Sequence, residues 1–190
     1  RVLFRSREAA PRLPPIHPST LPPTTTMTTT AAVSAFTWYN VPADLKDLLL
    51  RAADTWHDPA ESEQYMEKAL AHPDSTVDVL ISAYRFFFYR QNYAVAQKIA
   101  QQVLEQVRLR EKLPLTWAQL QPLLLQRRDQ PLIRLYLTAY SALGYILARL
   151  GELDRAKTVA TRLQTIDEHD EFGASLILNI LTPSDDDDDD

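Results

Sequence analysis

Apolar residues in the second half of the chain recur at helical spacing. Leu143, Ile146, Leu147 and Leu150 are followed, after a break at Gly151, by Ala156, Val159, Ala160 and Leu163, and both sets are spaced three, one and three. That spacing lines one face of a helix. Gly151 predicts a helix stop, where the backbone takes a positive φ that glycine adopts without steric cost. Gly144 falls inside the first of these helices, where glycine costs about 1 kcal/mol relative to alanine. Close approach of a neighbouring helix is the expected compensation.

The same frame occurs sixty residues earlier, with Tyr93, Ala96, Ile99, Ala100 and Val103 in the places of Leu153, Ala156, Val159, Ala160 and Leu163. Another thirty-four residues back, Ser62, Tyr65, Met66 and Ala69 repeat the spacing, and that period is one used by helical repeats. The stretch LGYILARLGELDRAKTVATRLQTIDE resembles a tetratricopeptide (TPR) repeat, with Leu143, Gly144, Gly151 and Ala156 on that family's signature positions. Residues 77–110 resemble a second copy and 43–73 a degenerate third, so the resemblance covers about two-thirds of the chain. Tyr84 and Gln91 replace both glycines in the middle copy, and Glu168 stands where the family usually closes with proline. The resemblance implies an all-α fold, with antiparallel helix-turn-helix repeats stacked as a short TPR-like α-solenoid over residues 43–181.

Residues 111–136 separate the middle copy from the last, at 137–170, and need a place in an alternating stack. One added helix is expected to reverse the direction of everything after it, whereas two preserve the order. Thr116 is a good N-cap and Pro122 disfavours helical geometry at Gln121, so this stretch forms either two short helices or one Pro-kinked helix lying across the stack. Pro131 then starts a helix of about 20 residues, or about 30 Å. It is apolar on nearly all sides, which predicts burial between neighbours on both flanks.

The ends differ in composition. RVLFRS matches one reading frame of a widely used sequencing adapter, and residues 7–26 carry six of the thirteen prolines with little apolar periodicity. A segment of that kind has little means of offsetting its ordering entropy. Residues 1–26 are therefore expected to be an artefactual or disordered leader, with Met27 as the start and 27–42 as an N-terminal segment without the features of a secretory signal. Residues 182–190 end in Asp185 to Asp190, a solvated acidic tail. From Met27 onward there are 16 Lys and Arg against 24 Asp and Glu, and without the six terminal aspartates the balance is −2. So nearly neutral a body argues against nucleic acid and anionic membranes as partners. The absence of cysteine removes disulfides, thiolate metal sites and cysteine nucleophiles, and suits a cytoplasmic protein.

Little in the sequence points to catalysis. None of the four histidines has a histidine partner at helical spacing, and there is no Gly-rich phosphate loop or nucleophile elbow. His169 lies among Asp167, Glu168, Asp170 and Glu171, which is expected to be a solvated inter-helix turn and not a metal site. No cofactor is implied. Phe86 and Phe87 are expected to pack between repeats, while Phe88 and Tyr89 fall where the family tends to line its concave groove. The repeat offsets place Arg51, Arg85 and Tyr145 in one row of that groove, and Thr55, Tyr89 and Arg149 in the next. Arginine and tyrosine suit a peptide-reading surface, although an ordinary snorkelling face has the same composition. The Lys/Asn clamp that some members use to grip a C-terminal carboxylate has no counterpart here, since Asp47, Arg51 and Arg85 occupy comparable places. The expectation is a non-catalytic interaction module or adaptor for a peptide or partner subunit. The alternatives are a small acidic export chaperone, resembling the TPR chaperones of type III secretion, and a structural homodimer.

Overall fold

The computed structural model describes residues 41–182. The expected leader, the start at Met27, nearly all of the 27–42 segment and the aspartate tail lie outside the described residues. Those described form eight helices and no strand: α1 (Ala43–Asp54), α2 (Pro59–Leu70), α3 (Val77–Tyr89), α4 (Tyr93–Glu111), α5 (Trp117–Gln126), α6 (Pro131–Arg149), α7 (Leu153–Gln164) and α8 (Ala174–Leu181). The fold is all-α, and none of these helices is long and apolar enough to cross a membrane.

The helices pair as hairpins, α1 with α2, α3 with α4 and α6 with α7, and α4 packs directly along α6. Each second helix buries the face that its spacing predicts: Ser62, Met66 and Ala69 on α2, Ala96, Ile99, Ala100 and Val103 on α4, and Ala156, Val159, Ala160 and Leu163 on α7. The long helix α6 buries residues all round, from Ile133 and Tyr136 to Ile146, Leu147 and Ala148. Its two sides face different clusters. Ala139 and Ile146 join Ala83, Phe87, Ala100 and Val103, whereas Leu137, Leu143 and Leu147 join Leu163, Ile166 and Ile177.

Both glycines behave as the sequence predicts. Gly151 follows α6 at φ +76, and nothing lies within 4 Å of where its Cβ would stand, so the backbone alone requires it. The amides of Gly151 and Glu152 bond to the carbonyls of Ala148 and Leu147, closing the helix with a Schellman turn. In the middle copy Gln91 takes the same position at φ +61, with the same pair of bonds from Gln91 and Asn92 to Phe88 and Phe87. At Gly144 a Cβ would meet Ile177 Cδ1 at 2.9 Å and Val159 Cγ1 at 3.0 Å. Two neighbouring helices, α7 and α8, therefore close on this point.

The insertion is a single helix, α5, with Pro122 inside it. Proline lacks the N–H that would bond to the carbonyl of Ala118, a residue exposed to water. Thr116 stands at the N-cap, but its hydroxyl donates to Gln119 Oε1 (2.8 Å) instead of accepting from the backbone. The expected reversal of direction does not follow from one added helix. Val107, near the end of α4, shares a cluster with Ile133 and Tyr136 at the start of α6, while Gln97 and Glu152 meet at the other end (3.4 Å). So α4 and α6 are antiparallel, and α5 leaves and returns at the same end of the stack. Arg127 pairs with Glu111 across that end, and the Trp117 ring lies 6.3 Å from that of Tyr140 and 4.9 Å from the guanidinium of Arg162.

No element was expected at 171–181, where α8 stands. Gly173, at φ +72, is its N-cap, and Asp167 fixes the approach by accepting the amides of Glu171 (2.8 Å) and Phe172 (2.6 Å).

Candidate functional site

The six residues that the repeat offsets bring into rows lie on α1 and its C-cap, on α3 and on α6, and their surroundings differ. Arg51, in the last turn of α1, bonds through Nε to Asp47 Oδ2 (2.7 Å) and lies 5.7 Å from the ring of Tyr65 on α2. Both contacts hold the guanidinium's charge, with the Asp47 bond the larger influence raising its pKa. Arg85 is exposed on α3 beside the buried Tyr84, whose phenol is pushed up by burial and pulled back by Arg85. Tyr89, the last residue of α3, is 45% exposed. Arg85 and Tyr89 thus sit one turn apart on the same helix with their polar ends toward water.

Phe88 is half-buried. Its ring stands edge-on to Tyr93 (5.5 Å) and Tyr89 (5.9 Å) and packs on the core shared by α3 and α4. Phe86 and Phe87 are buried, as expected. On α6, Tyr145 donates to the carbonyl oxygen of Gly173 (3.3 Å), and burial, with a smaller contribution from Asp170, pushes its phenol up to about 12. That residue is drawn to the approach to α8. Arg149 is half-buried in the last turn of α6. The contact between Phe88 and Tyr89 is thus between chain neighbours, and the surface that remains open is carried by α3.

Two residues beside that surface were not anticipated. Trp56, in the turn after α1, is 42% exposed, and the guanidinium of Arg90 lies 4.1 Å from its ring while also donating to its carbonyl oxygen. Trp56 also meets Phe86 edge-on at 5.3 Å. The signal was present in the repeat offset, since Arg90 lies thirty-four positions after Trp56 and the two occupy equivalent turns. An exposed tryptophan stacked under Arg90, the residue that follows Tyr89, adds a flat aromatic contact of the kind that dominates binding energy at interfaces.

On another part of the molecule, α2 and α4 border two open depressions of about 410 and 400 Å³ that share Leu70, Leu80 and Gln102. Their rims carry Glu67, Lys98, Glu105 and Gln106, with no convergent set of polar groups. The two buried serines spend their hydroxyls on backbone carbonyls, Ser62 on Ala52 and Ser141 on Phe172 (each 2.5 Å). Among the described residues no group of three or more His, Asp or Glu side chains is placed to hold a metal ion. His72 meets Asp44 (3.1 Å), tying the start of α1 to the turn after α2 and holding the Asp44 carboxyl below its ordinary range.

No protein-family model matches the chain, and no solved structure matches it significantly. A curated relative, the uncharacterized 19.8 kDa protein in the nifW 5′ region of Azotobacter chroococcum mcd 1, is 29% identical over 133 residues, which are 68% of this chain and 74% of that protein.

Proposed function

We propose that this chain is a non-catalytic, TPR-like interaction module of the cytoplasm, holding a peptide or partner subunit against the exposed side of α3 and the adjoining turn after α1. The observation that carries the reading is the surface made by Arg85, Tyr89, Trp56 and Arg90. Arg85 and Tyr89 are exposed one turn apart on α3, and at the end of that helix Arg90 stacks on Trp56 from the turn after α1, while the core shared by α3 and α4 is complete without them. Such side chains give forked donors and large flat contact area at low cost in rotamer freedom. The successive antiparallel hairpins, with the same Schellman turn after α3 and α6, support the repeat reading.

Arg51, Phe88, Tyr145 and Arg149 contribute in other ways in this reading. Arg51 and Tyr145 are already engaged by Asp47 and Gly173, and Phe88 anchors the hairpin. Arg85 and Tyr89 are the direct contacts. The test is affinity capture from the native host with the parent protein and with an Arg85→Glu/Tyr89→Ala variant, both substitutions lying on exposed positions. A partner retained by the parent and lost by the variant at equal helix content supports the surface. Equal retention by both removes it.

A further inference from the structure

The insertion α5 shows what fits between two hairpins of this stack. Its Trp117 ring lies against the Tyr140 ring of α6 and the Arg162 guanidinium of α7, and its Leu120 and Leu124 are buried in the cluster on which Leu104 of α4 packs. The matching turns at Gln91 and Gly151 and the matching buried faces of α2 and α4 fix the register between copies. Carried back by thirty-four residues from α4 to α2, and by sixty from α6 and α7 to α3 and α4, the positions of Leu104, Tyr140 and Arg162 become Leu70, Leu80 and Gln102. These are the three residues shared by the two open depressions of about 410 and 400 Å³. The joint between the first two hairpins therefore keeps open the place that α5 fills one repeat later.

The chemistry of the opening suits an occupant like α5. The buried Leu80 and Ile99 and the half-buried Leu70 and Val95 supply apolar walls. On the rim, Glu105 accepts from Arg108 (2.7 Å), and Glu67 and Lys98 are of opposite sign. Neither a strongly charged helix nor an anionic membrane gains from so balanced a rim. The helix α5 carries no charged residue from Trp117 to Gln126. We propose that the depressions between α2 and α4 form a docking site for a short uncharged helix of a partner protein, with tryptophan in its first turn and leucines three and seven positions later, the spacing of Trp117, Leu120 and Leu124. Its indole lies on Leu80 beside the Gln102 amide, as Trp117 lies against Tyr140 and Arg162. The site is separate from the Arg85 and Tyr89 surface of α3 and does not depend on it.

The probe is a capped peptide with the sequence of residues 115–126, alanine in place of the proline so that the helix forms readily, and a fluorophore on a Gly-Ser linker. A counterpart has alanine in place of the tryptophan as well. Anisotropy with the full chain is expected to show binding of the first peptide, with the counterpart weaker by at least about tenfold, the effect of losing a central aromatic contact. Gln102 is exposed, so Gln102→Glu spares the fold, and it should weaken binding by about tenfold or more by setting a carboxylate against the indole. Leu70→Ser should act in the same direction by removing an apolar wall. Gln102→Arg brings in the group that Arg162 supplies to Trp117 and should tighten binding about twofold to fivefold, the range of an exposed cation–π contact. Arg85→Glu, on α3, should leave the affinity unchanged. No binding, or equal binding by the parent, Gln102→Glu and Leu70→Ser, would overturn the proposal. So would weakening by Arg162→Gln and not by Gln102→Glu, which would place the peptide in the groove of α5 itself. A gain of about tenfold on removing residues 1–40, or a parent dimer in sedimentation that Gln102→Glu dissociates, would overturn it too, by showing that this chain or a second copy covers the site.

Discussion

Positive φ is reached at equivalent turns by two different residues, Gly151 at +76 and Gln91 at +61, and the steric cost differs. For an L-residue the left-handed region costs about 1–2 kcal/mol, part of which glycine returns through its larger unfolded-state freedom. Gln91→Gly should therefore stabilise the protein, by about 0.5–1 kcal/mol, although it touches nothing else. Gly151→Val should destabilise by more than about 1 kcal/mol, because a β-branched residue adopts this region least readily. Gly144 demands glycine for the opposite reason. Its backbone is ordinary helix, but Ile177 and Val159 fill the space a side chain would need, so Gly144→Leu should cost about 1–3 kcal/mol or more through overpacking. Denaturant melts of the three variants separate these causes. A Gln91→Gly protein no more stable than its parent would mean that Gln91 gains an offsetting contact.

At the scale of elements, α5 shows what periodicity reveals and what it leaves open. Thr116 marks the start of the helix in the sequence and Pro122 falls within it, yet they allow one helix or two, because a proline removes a single backbone bond and the residue whose carbonyl is freed is here exposed to water. Pro122→Ala should restore that bond and stabilise by about 1–3 kcal/mol, read as a rise in Tm. No rise would show that the loss is already offset within α5. The three hairpins were legible because each second helix repeats one apolar spacing that burial requires. The direction of α6 was not, since it depends on where α5 enters and leaves, a matter of the contacts of Val107, Trp117 and Tyr140 across the stack. The helix α8 escaped because ASLILNIL is too short and too uniformly apolar to display a period. Of the candidate surface, Arg85 and Tyr89 could be placed by repeat offset. That Tyr145 is instead spent on Gly173 follows from a helix the periodicity did not reveal.

Across the whole molecule the hairpins are unevenly joined. The helices α4 and α6 lie along one another, whereas α2 meets α3 over a short stretch beside the two open depressions. In a stacked array stability is set by each unit and its contacts with its neighbours, so the first hairpin should open before the rest. Arg90 is a main tie across that joint. From the end of α3 its guanidinium covers the Trp56 indole and bonds to the Trp56 carbonyl, and it also lies 5.5 Å from the Phe86 ring. Its Nε is buried without a partner, so the residue keeps this position through its stacking and its other nitrogens. An arginine held over an aromatic face contributes about 0.5–2 kcal/mol. Hydrogen exchange followed by mass spectrometry should show the amides of 43–70 exchanging faster than those of 93–107 and 133–163. In Arg90→Ala the first set should speed up by about twofold to thirtyfold, while the second keeps its rates. The range follows from converting that interaction energy into an opening constant. Uniform acceleration across both sets would mean that the array opens as one cooperative unit, and that Arg90 stabilises all of it and not one joint.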